Sequence, residues 1–514
     1  MKLNLQYISN VIEDEYLEKW GLGDTVLISS QTGTGKTSFV VNQLLDSLKP
    51  NEHMIYLCNR RKLSRDIKKS LLKKEGKLTE NQIKKLDLQE LDKQTVFGKV
   101  KVTTYQALAK QIGLNLDLYK YIILDEAHFI LTDSSFNNKT HLMLYKLLLE
   151  EYPQSIRVFI TATPDEIEGI INKAKYYKQL HTYETGRDYR YLDVSYFKKD
   201  CDMLQLIKND ESDDKWLIFV TSKTKGDKFE KELLESGIDV KFVHAKSTED
   251  VIEDEKFPQK VLIATKFLDN GININDDSVK NLVVLAYDKT TFIQEVGRIR
   301  VDIHDARQVK LYIPTFKASV FNTKINTNYI PNLRKVELYR DSKKYFKSKY
   351  HLDHNKVPVE LFYLDEETNE WQQNPVGLRR LKLDYGFATE MVKAFKDDSF
   401  AYVKVQLSWL ELDCTFDESK LIEKVVDVEV VNELEMYLNG LIGKFLFSNE
   451  RKVLIEKVGL RDNKNRIQKG LKTINSYLSE NNINYSISSY VDKRRKLEDG
   501  SENPNRDKTY WVIN

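Results

Sequence analysis

Short apolar runs recur along the first part of the chain, and polar stretches of helical period separate them. Val26-Leu27-Ile28, Met54-Ile55-Tyr56-Leu57-Cys58, Val100–Tyr105, Tyr121-Ile122-Ile123-Leu124 and residues 158–160 read as buried strands. Ser38–Leu45 and the charged stretch from Ile67 to Gln94 read as helices between them. This alternation predicts a parallel, doubly wound α/β sheet ending near residue 185. Trp216–Val220, Val240–His244, Val261–Thr265, Leu282–Leu285 and the alternating Val309, Leu311 and Ile313 repeat the pattern, predicting a second such sheet. Ahead of the first strand, Val11–Trp20 is amphipathic and closed by Gly21, which predicts one helix beside the first sheet.

The pattern changes beyond residue 320. Asn332–His351 reads as a charged amphipathic helix, and residues 352–427 are mixed, with Trp371 and Trp409 read as core. Leu434–Phe447, Glu450–Val458 and Lys464–Ser479 read as three short helices, and Tyr485–Val491 with Thr509–Ile513 as a hairpin. Helix, helix, helix, hairpin is the order of a winged-helix domain. In the third helix Ile467, Leu471, Ile474 and Leu478 share a face, while Lys464, Arg466, Lys469 and Lys472 lie mostly off it. Those cations are open to phosphates or only to solvent. The expected boundaries are 1–185, 186–320, 321–429 and 430–514.

Composition narrows little. Lys+Arg 80 against Asp+Glu 78 leaves a formal charge of +2, so any nucleic-acid surface must be local. Cys58, Cys201 and Cys414 lie too far apart for a disulfide framework or zinc site. The start, Met1–Gln6, lacks a signal-peptide core, and no apolar run approaches membrane-spanning length. The expectation is a soluble cytoplasmic protein with no membrane partner.

Candidate chemistry begins at Ser30-Gln31-Thr32-Gly33-Thr34-Gly35-Lys36-Thr37, between the first strand and a helix. Strand, glycine loop and helix form the context of a phosphate-binding P-loop. Gly33 and Gly35 let the backbone N–H groups converge on an anion, Lys36 reaches the β- and γ-phosphates, and Thr37 offers a hydroxyl to Mg²⁺. Ser30 stands where the pattern expects its first glycine. The strand Tyr121–Leu124 delivers Asp125-Glu126-Ala127-His128. Asp125 suits Mg²⁺ held through water, and Glu126 suits proton abstraction from an attacking water.

With these motifs in place the chain resembles the superfamily 2 helicases of the DEAD/DEAH type. Phe159-Ile160-Thr161-Ala162-Thr163-Pro164 is similar to the motif that couples hydrolysis to movement. Val261–Thr265 through Asn270-Gly271-Ile272-Asn273 is similar to motif V, and Gln294-Glu295-Val296-Gly297-Arg298-Ile299-Arg300 to motif VI. The resemblance covers roughly the first three-fifths of the chain, and motifs arriving in family order are not a chance match.

The resemblance implies two tandem RecA-like parallel-sheet lobes with ATP and Mg²⁺ in the cleft, followed by a mixed α+β region and the winged-helix-like domain. It implies catalytic roles for Lys36, Asp125, Glu126, Gln294 and Arg298. Gln31, Thr32, Gly33, Thr34, Gly35, Lys36, Thr37 and Gly271 would line the nucleotide, and Thr37 and Asp125 would hold the metal. Arg300 comes one residue before the usual second finger, which falls at Val301; herpesvirus-type origin-binding helicases have a similar Gly-Arg-x-Arg spelling, and on that likeness Arg300 is assigned as the catalytic second finger. Arg60, Arg61, Thr103, Thr104 and Thr265 match segments that touch nucleic-acid backbone, Arg60 and Arg61 reading equally as a solvated turn. The expected activity is an ATP-dependent helicase or translocase on DNA rather than RNA. The alternatives are an origin- or duplex-binding ATPase remodeller, an RNA helicase, or a motor serving replication or defence partners.

Overall fold

The computed structural model describes the chain apart from residues 112–113, 133, 135–138, 173–176, 245–246, 248–250, 266–272, 352, 366, 423–433, 436, 461–465, 481–482, 484 and 498. It divides into two compact units, Met1–Ile422 and Glu423–Asn514.

The first unit contains both predicted sheets. In the first lobe the strands are β1 Thr25–Ser29, β2 Met54–Cys58, β3 Val96–Phe97, β4 Val100–Thr104, β5 Tyr121–Asp125, β6 Ile156–Thr161 and β7 Leu180–Glu184. They lie in the order β3-β4-β2-β5-β6-β1-β7, parallel except for the β3–β4 pair. The central strands are buried on both faces, and the period of two sorts their side chains. Val26, Ile28, Tyr56, Tyr121 and Ile123 pack with the P-loop helix residues Phe39 and Val40. Leu27, Ile55, Leu57, Ile122 and Leu124 pack on the other side with Tyr105, Phe129 and Ile167. Asp125 therefore falls in register with Tyr121 and Ile123, on the face of the P-loop helix.

The second lobe comprises β8 Leu192–Phe197, β9 Lys215–Phe219, β10 Val240–Val243, β11 Val261–Ala264, β12 Val279–Val284 and β13 Val309–Pro314, plus a short edge strand, Leu421–Ile422. All its pairings are parallel, in the order β10-β11-β9-β12-β13-β8 with the edge strand outside β8. The two RecA-like lobes agree with the sequence pattern. The strands that pattern did not reveal are β3, β7, β8 and the edge strand. Of these β7 is largely solvent-facing, and β3 and the edge strand are two residues each, too short or too polar for an apolar run.

The predicted helix over 11–20 is two short ones, Ile8–Val11 and Asp14–Glu18, broken at Ile12 and the extended Glu13. Ahead of them, the N-terminal segment runs along both lobes. Leu3 N donates to Ile303 O at 2.8 Å and Ile8 N to Thr34 O at 3.0 Å.

The helices Ala318–Lys324, Ile330–Asp341, Lys343–Lys349, Pro375–Ala394 and Ala401–Trp409 complete the first unit, with a hairpin of Phe362–Leu364 and Trp371–Gln373. The predicted helix over 332–351 is split at Ser342, whose hydroxyl caps the second piece. Val376 packs into a first-lobe core and Val403, Leu407 and Leu410 into a second-lobe core. The accessory helices thus brace both lobes.

The second unit is mixed α+β. Residues 434–435 and 437–439 are helical, followed by the helices Ser448–Val458 and Leu471–Glu480 and an antiparallel hairpin, Ile487–Val491 with Thr509–Ile513. The helix expected over 434–447 stops early; Gly443 takes φ +75° and Leu446 pairs with Trp511. The third helix begins at Leu471, so Arg466 and Lys469 precede it, whereas Lys472 is on it; all three are exposed. Lys464 lies outside the described residues. Asn475 grips the hairpin, its amide accepting from Ile487 N at 2.8 Å and donating to Ile487 O at 2.9 Å. No helix among the described residues is long and apolar enough to cross a membrane.

Candidate active site

The C-terminal ends of β1 and β5 meet at a cavity of about 390 Å³. Thr32, Gly33, Gly35, Lys36, Thr37, Asp125 and Glu126 line one wall. Gly33 (φ +94°) and Gly35 (φ +83°) adopt the left-handed conformations that curl the loop. Ser30 is fully buried, and its hydroxyl lies 2.6 Å from that of Thr34, which in turn donates to Gln31 O at 2.7 Å. The hydroxyl at the position expected to be glycine thus braces the loop internally. Gln31 also turns away from the cavity: its amide donates to Asp188 O at 3.1 Å and accepts from Asp188 N at 2.9 Å.

The other wall comes from the second lobe. The helix Lys289–Val296 is capped by Asp288, which accepts from Thr291 N, and it presents Gln294. The chain then runs extended, with Arg300 N donating to Ile274 O and Ile274 N to Arg298 O, both at 2.8 Å. Side chains two apart on an extended segment point the same way. Arg298 and Arg300 therefore line the cavity together with Asn273 and Val301, while Ile299 is buried. This local geometry explains a second cation two residues after the first. Gly297 lets the walls approach: a Cβ there would lie 2.5 Å from Thr32 Oγ1.

A polar chain crosses the cleft. Lys36 Nζ is 2.8 Å from Glu126 Oε1. Gln294 Nε2 donates to Glu126 Oε2 at 3.1 Å, and Arg298 Nη2 donates to Gln294 Oε1 at 2.7 Å. Burial opposes charge on Glu126, but Lys36, with help from His128 and Arg298, holds its carboxyl well below the usual range. Burial, reinforced by the neighbouring Glu126 charge, pushes Asp125 up. Burial lowers His128 to about 4, so its ring is neutral near pH 7. His128 Nδ1 lies 3.0 Å from Thr161 Oγ1, which accepts from Thr163 N at 3.1 Å. Burial and the adjacent Arg298 make Arg300 less basic than a free arginine. Arg298 Nε is buried with no hydrogen-bond partner among the described residues. A wall of cations with an orphaned N–H is electrostatically incomplete without an anion.

Two residues that hold this site were not read from the sequence. Tyr56 donates to Asp125 Oδ2 at 2.5 Å and Tyr105 to Asp125 O at 2.9 Å. Tyr56 sits two places before the end of β2, on the same face as Asp125; strand register was the signal that would have found it.

The remaining candidates scatter. Arg60 lies over the Phe129 ring, Arg61 is exposed, and Thr103 is buried. Thr104 caps the helix Tyr105–Lys110. Thr265 follows β11, half-buried, and Gly271 lies outside the described residues. Gln6 is exposed.

The site and both sheets have the arrangement of a nucleotide-hydrolysing motor of the helicase class. Residues 10–170 match the DEAD/DEAH box helicase family, and residues 198–301 match the helicase conserved C-terminal domain. The chain belongs to the DEAD/DEAH box helicases of superfamily 2, binds ATP and is an ATP hydrolase. A search of curated protein sequences returns no match.

Among solved structures, the chain is similar to Saccharomyces cerevisiae Dbp5 bound to RNA and ADP BeF3. That match has 18% identity over 56% of this chain and 79% of that one, with a TM-score of 0.40. A DEAD box protein from Methanococcus jannaschii has 19% identity over 59% and 85%, with a TM-score of 0.32. Mycobacterium smegmatis helicase Lhr, bound to ssDNA and AMP-PNP, has 12% identity over 70% and 58%, with a TM-score of 0.41.

One expectation is corrected here. DNA was placed ahead of RNA as substrate and partner, with replication as context, on backbone contacts alone, and these do not identify the sugar. The Dbp5 structure is RNA-bound and the Lhr structure ssDNA-bound; with the sugar unread, the DNA preference is withdrawn.

Proposed function

We propose that this protein is an RNA-dependent ATPase of the helicase class that couples closure of its two lobes on ATP to movement or remodelling of a strand held by its backbone. The observation that carries this reading is the chain Lys36–Glu126–Gln294–Arg298, which runs from the P-loop to the opposite lobe. RNA is the polynucleotide of the similar Dbp5 structure.

Within this reading the loop N–H groups and Lys36 bind the β- and γ-phosphates. Drawn onto phosphate, Lys36 leaves Glu126, whose freed carboxylate accepts a proton from the water that Gln294 orients. Arg298 and Arg300 stabilise charge developing on the transferred phosphoryl group. The Gly-Arg-x-Arg spelling and the place of both side chains in the lining of one cavity support Arg300 as the second finger. The donor set of Thr37 hydroxyl and Asp125 carboxylate is all oxygen, which suits Mg²⁺, and both residues line the cavity. When bound, Mg²⁺ would supply charge neutralisation between the phosphate oxygens.

The test is ATP turnover with and without single-stranded RNA. Lys36→Ala should abolish it, and Glu126→Gln should bind ATP yet hydrolyse it poorly. Undiminished, RNA-stimulated turnover by Lys36→Ala would overturn the assignment.

A further inference from the structure

The hairpin of the second unit has two unlike faces. Ile487 and Ile513 are cross-strand partners and both buried. Tyr490 and Tyr510 are partners on the opposite face, with ring centroids 5.9 Å apart. Leu446 joins the same sheet, exchanging backbone hydrogen bonds with Trp511 at 2.9 Å in both directions. With Leu446 turned inward, Phe445 and Phe447 fall on the outer face, with centroids 4.6 Å and 5.6 Å from Tyr510. Phe445 is 43% exposed and Tyr490 50%.

The outer face of a small sheet ordinarily carries polar side chains, because exposed aromatic rings invite aggregation. Here the rings form a continuous ladder that ends in cations. The Arg494 guanidinium lies 4.7 Å from the Phe445 centroid, and its orientation is set by Asp492, which accepts from Arg494 Nη2 at 2.7 Å. Lys493, Arg495 and Lys496 follow at the tip, exposed, with Lys493 paired to Asp507. Flat rings beside cations match a ligand that offers flat rings and anions in alternation, which is a single-stranded nucleic acid.

We propose that Phe445, Tyr510 and Tyr490 stack the bases of single-stranded RNA while Arg494, Arg495 and Lys496 meet its phosphates. The proposal rests on the reading that the protein acts on nucleic acid, and it places a sequence-tolerant grip on the hairpin rather than on the helix cations.

The test uses the full-length protein and the anisotropy of a fluorescein-labelled uridine oligomer, without nucleotide. Phe445→Ala combined with Tyr490→Ala should weaken binding by about tenfold or more. Tyr490→Ala alone should give part of that loss, and Tyr490→Phe, which keeps the ring, almost none. An oligomer of the same length with abasic sites should bind the unaltered protein as weakly as the intact oligomer binds the double variant. Equal affinity of the double variant and the unaltered protein for the uridine oligomer would overturn the proposal, as would tight binding of the abasic strand. RNA-stimulated ATP turnover of the unaltered protein separates the two readings. If RNA neither binds nor stimulates, the functional reading fails. If RNA stimulates and the ring substitutions change nothing, only the stacking face fails.

Discussion

Arg380, on the accessory helix Pro375–Ala394, donates to Glu166 Oε1 at 3.1 Å. Glu166 is on the helix that directly follows Thr161-Ala162-Thr163 in the first lobe. The same guanidinium lies 3.5 Å from Asp288, which caps the Gln294 helix of the second lobe, and 2.9 Å from Asp384 on its own helix. Thr290 of the second lobe also donates to Glu166 Oε1 at 2.6 Å. Polar contacts thus run from Glu126 through His128 and Thr161 to Thr163 N, where the backbone continues into the Glu166 helix; Glu166 meets Thr290, and Gln294 on the same helix as Thr290 reaches back to Glu126.

Arg380→Met should leave three buried or half-buried carboxylates without their shared cation. The expected cost is about 3–5 kcal/mol of stability, measurable by chemical denaturation. Burial already pushes Glu166 and Asp384 up, against the pull of Arg380. In the variant these groups should protonate more readily, and Arg380→Lys should restore part of the stability but not the three-way geometry. The motor consequence should be turnover that RNA stimulates less, read as a loss in kcat with little change in KM.

Gly297→Ala tests the approach of the two walls. Gly297 has an ordinary φ of −70°, so alanine is not strained by backbone, and it is opposed chiefly by the clash with Thr32, with a tighter approach of 3.3 Å to Ile293 O beside it. An overpacking cost of about 1–3 kcal/mol on closure corresponds to a loss of roughly 5- to 150-fold in kcat/KM for ATP. Thr32→Ala in the same chain should recover part of the loss, because Oγ1 is the nearest atom. Thermal stability should be almost unchanged.

Tyr56→Phe removes a hydrogen bond to a buried carboxylate without changing shape. The loss should be about 1.5–3 kcal/mol in unfolding free energy. Turnover should fall as well, since Asp125 loses the donor that orients it. If stability and turnover both stayed level, Tyr56 would have no part in holding Asp125.

Asp210 gives a pH signature away from the cleft. It accepts from Trp216 Nε1 at 2.6 Å and from Ser212 Oγ at 2.6 Å, with Lys260 at 3.1 Å. Burial would raise its pKa, but those partners hold it at about 2. The unfolded value is about 3.9. The folded carboxyl is thus the stronger acid, and its contribution is complete above roughly pH 4 and lost as pH falls through about 2. Asp210→Asn should cost about 1–2 kcal/mol at neutral pH, and its stability curve should lack that acid-side step.

Much of the two lobes was legible because parallel strands buried on both faces are apolar runs with sharp ends, as at Tyr121–Asp125. The P-loop and Asp125-Glu126 were legible because their chemistry is local. Arg380 was not, because its partners Glu166 and Asp288 lie far away in sequence and a lone arginine on a helix carries no signal. The outer rings of the hairpin were equally hidden. Phe445 was assigned to a helix, and only the pairing of Leu446 with Trp511 shows which way its ring turns. Ser30 read as a departure from the loop pattern until its bond to Thr34 gave it a structural task.

The hydrogen bonds of Leu3 to the second lobe and of Ile8 to the first make the stretch between them a leash. Fully extended it reaches about 18 Å, and with a hydrogen bond at each end the carbonyls of Ile303 and Thr34 can separate by no more than about 24 Å without tearing one of those bonds. The stroke of the motor is therefore capped by a few residues of backbone that take no part in the chemistry.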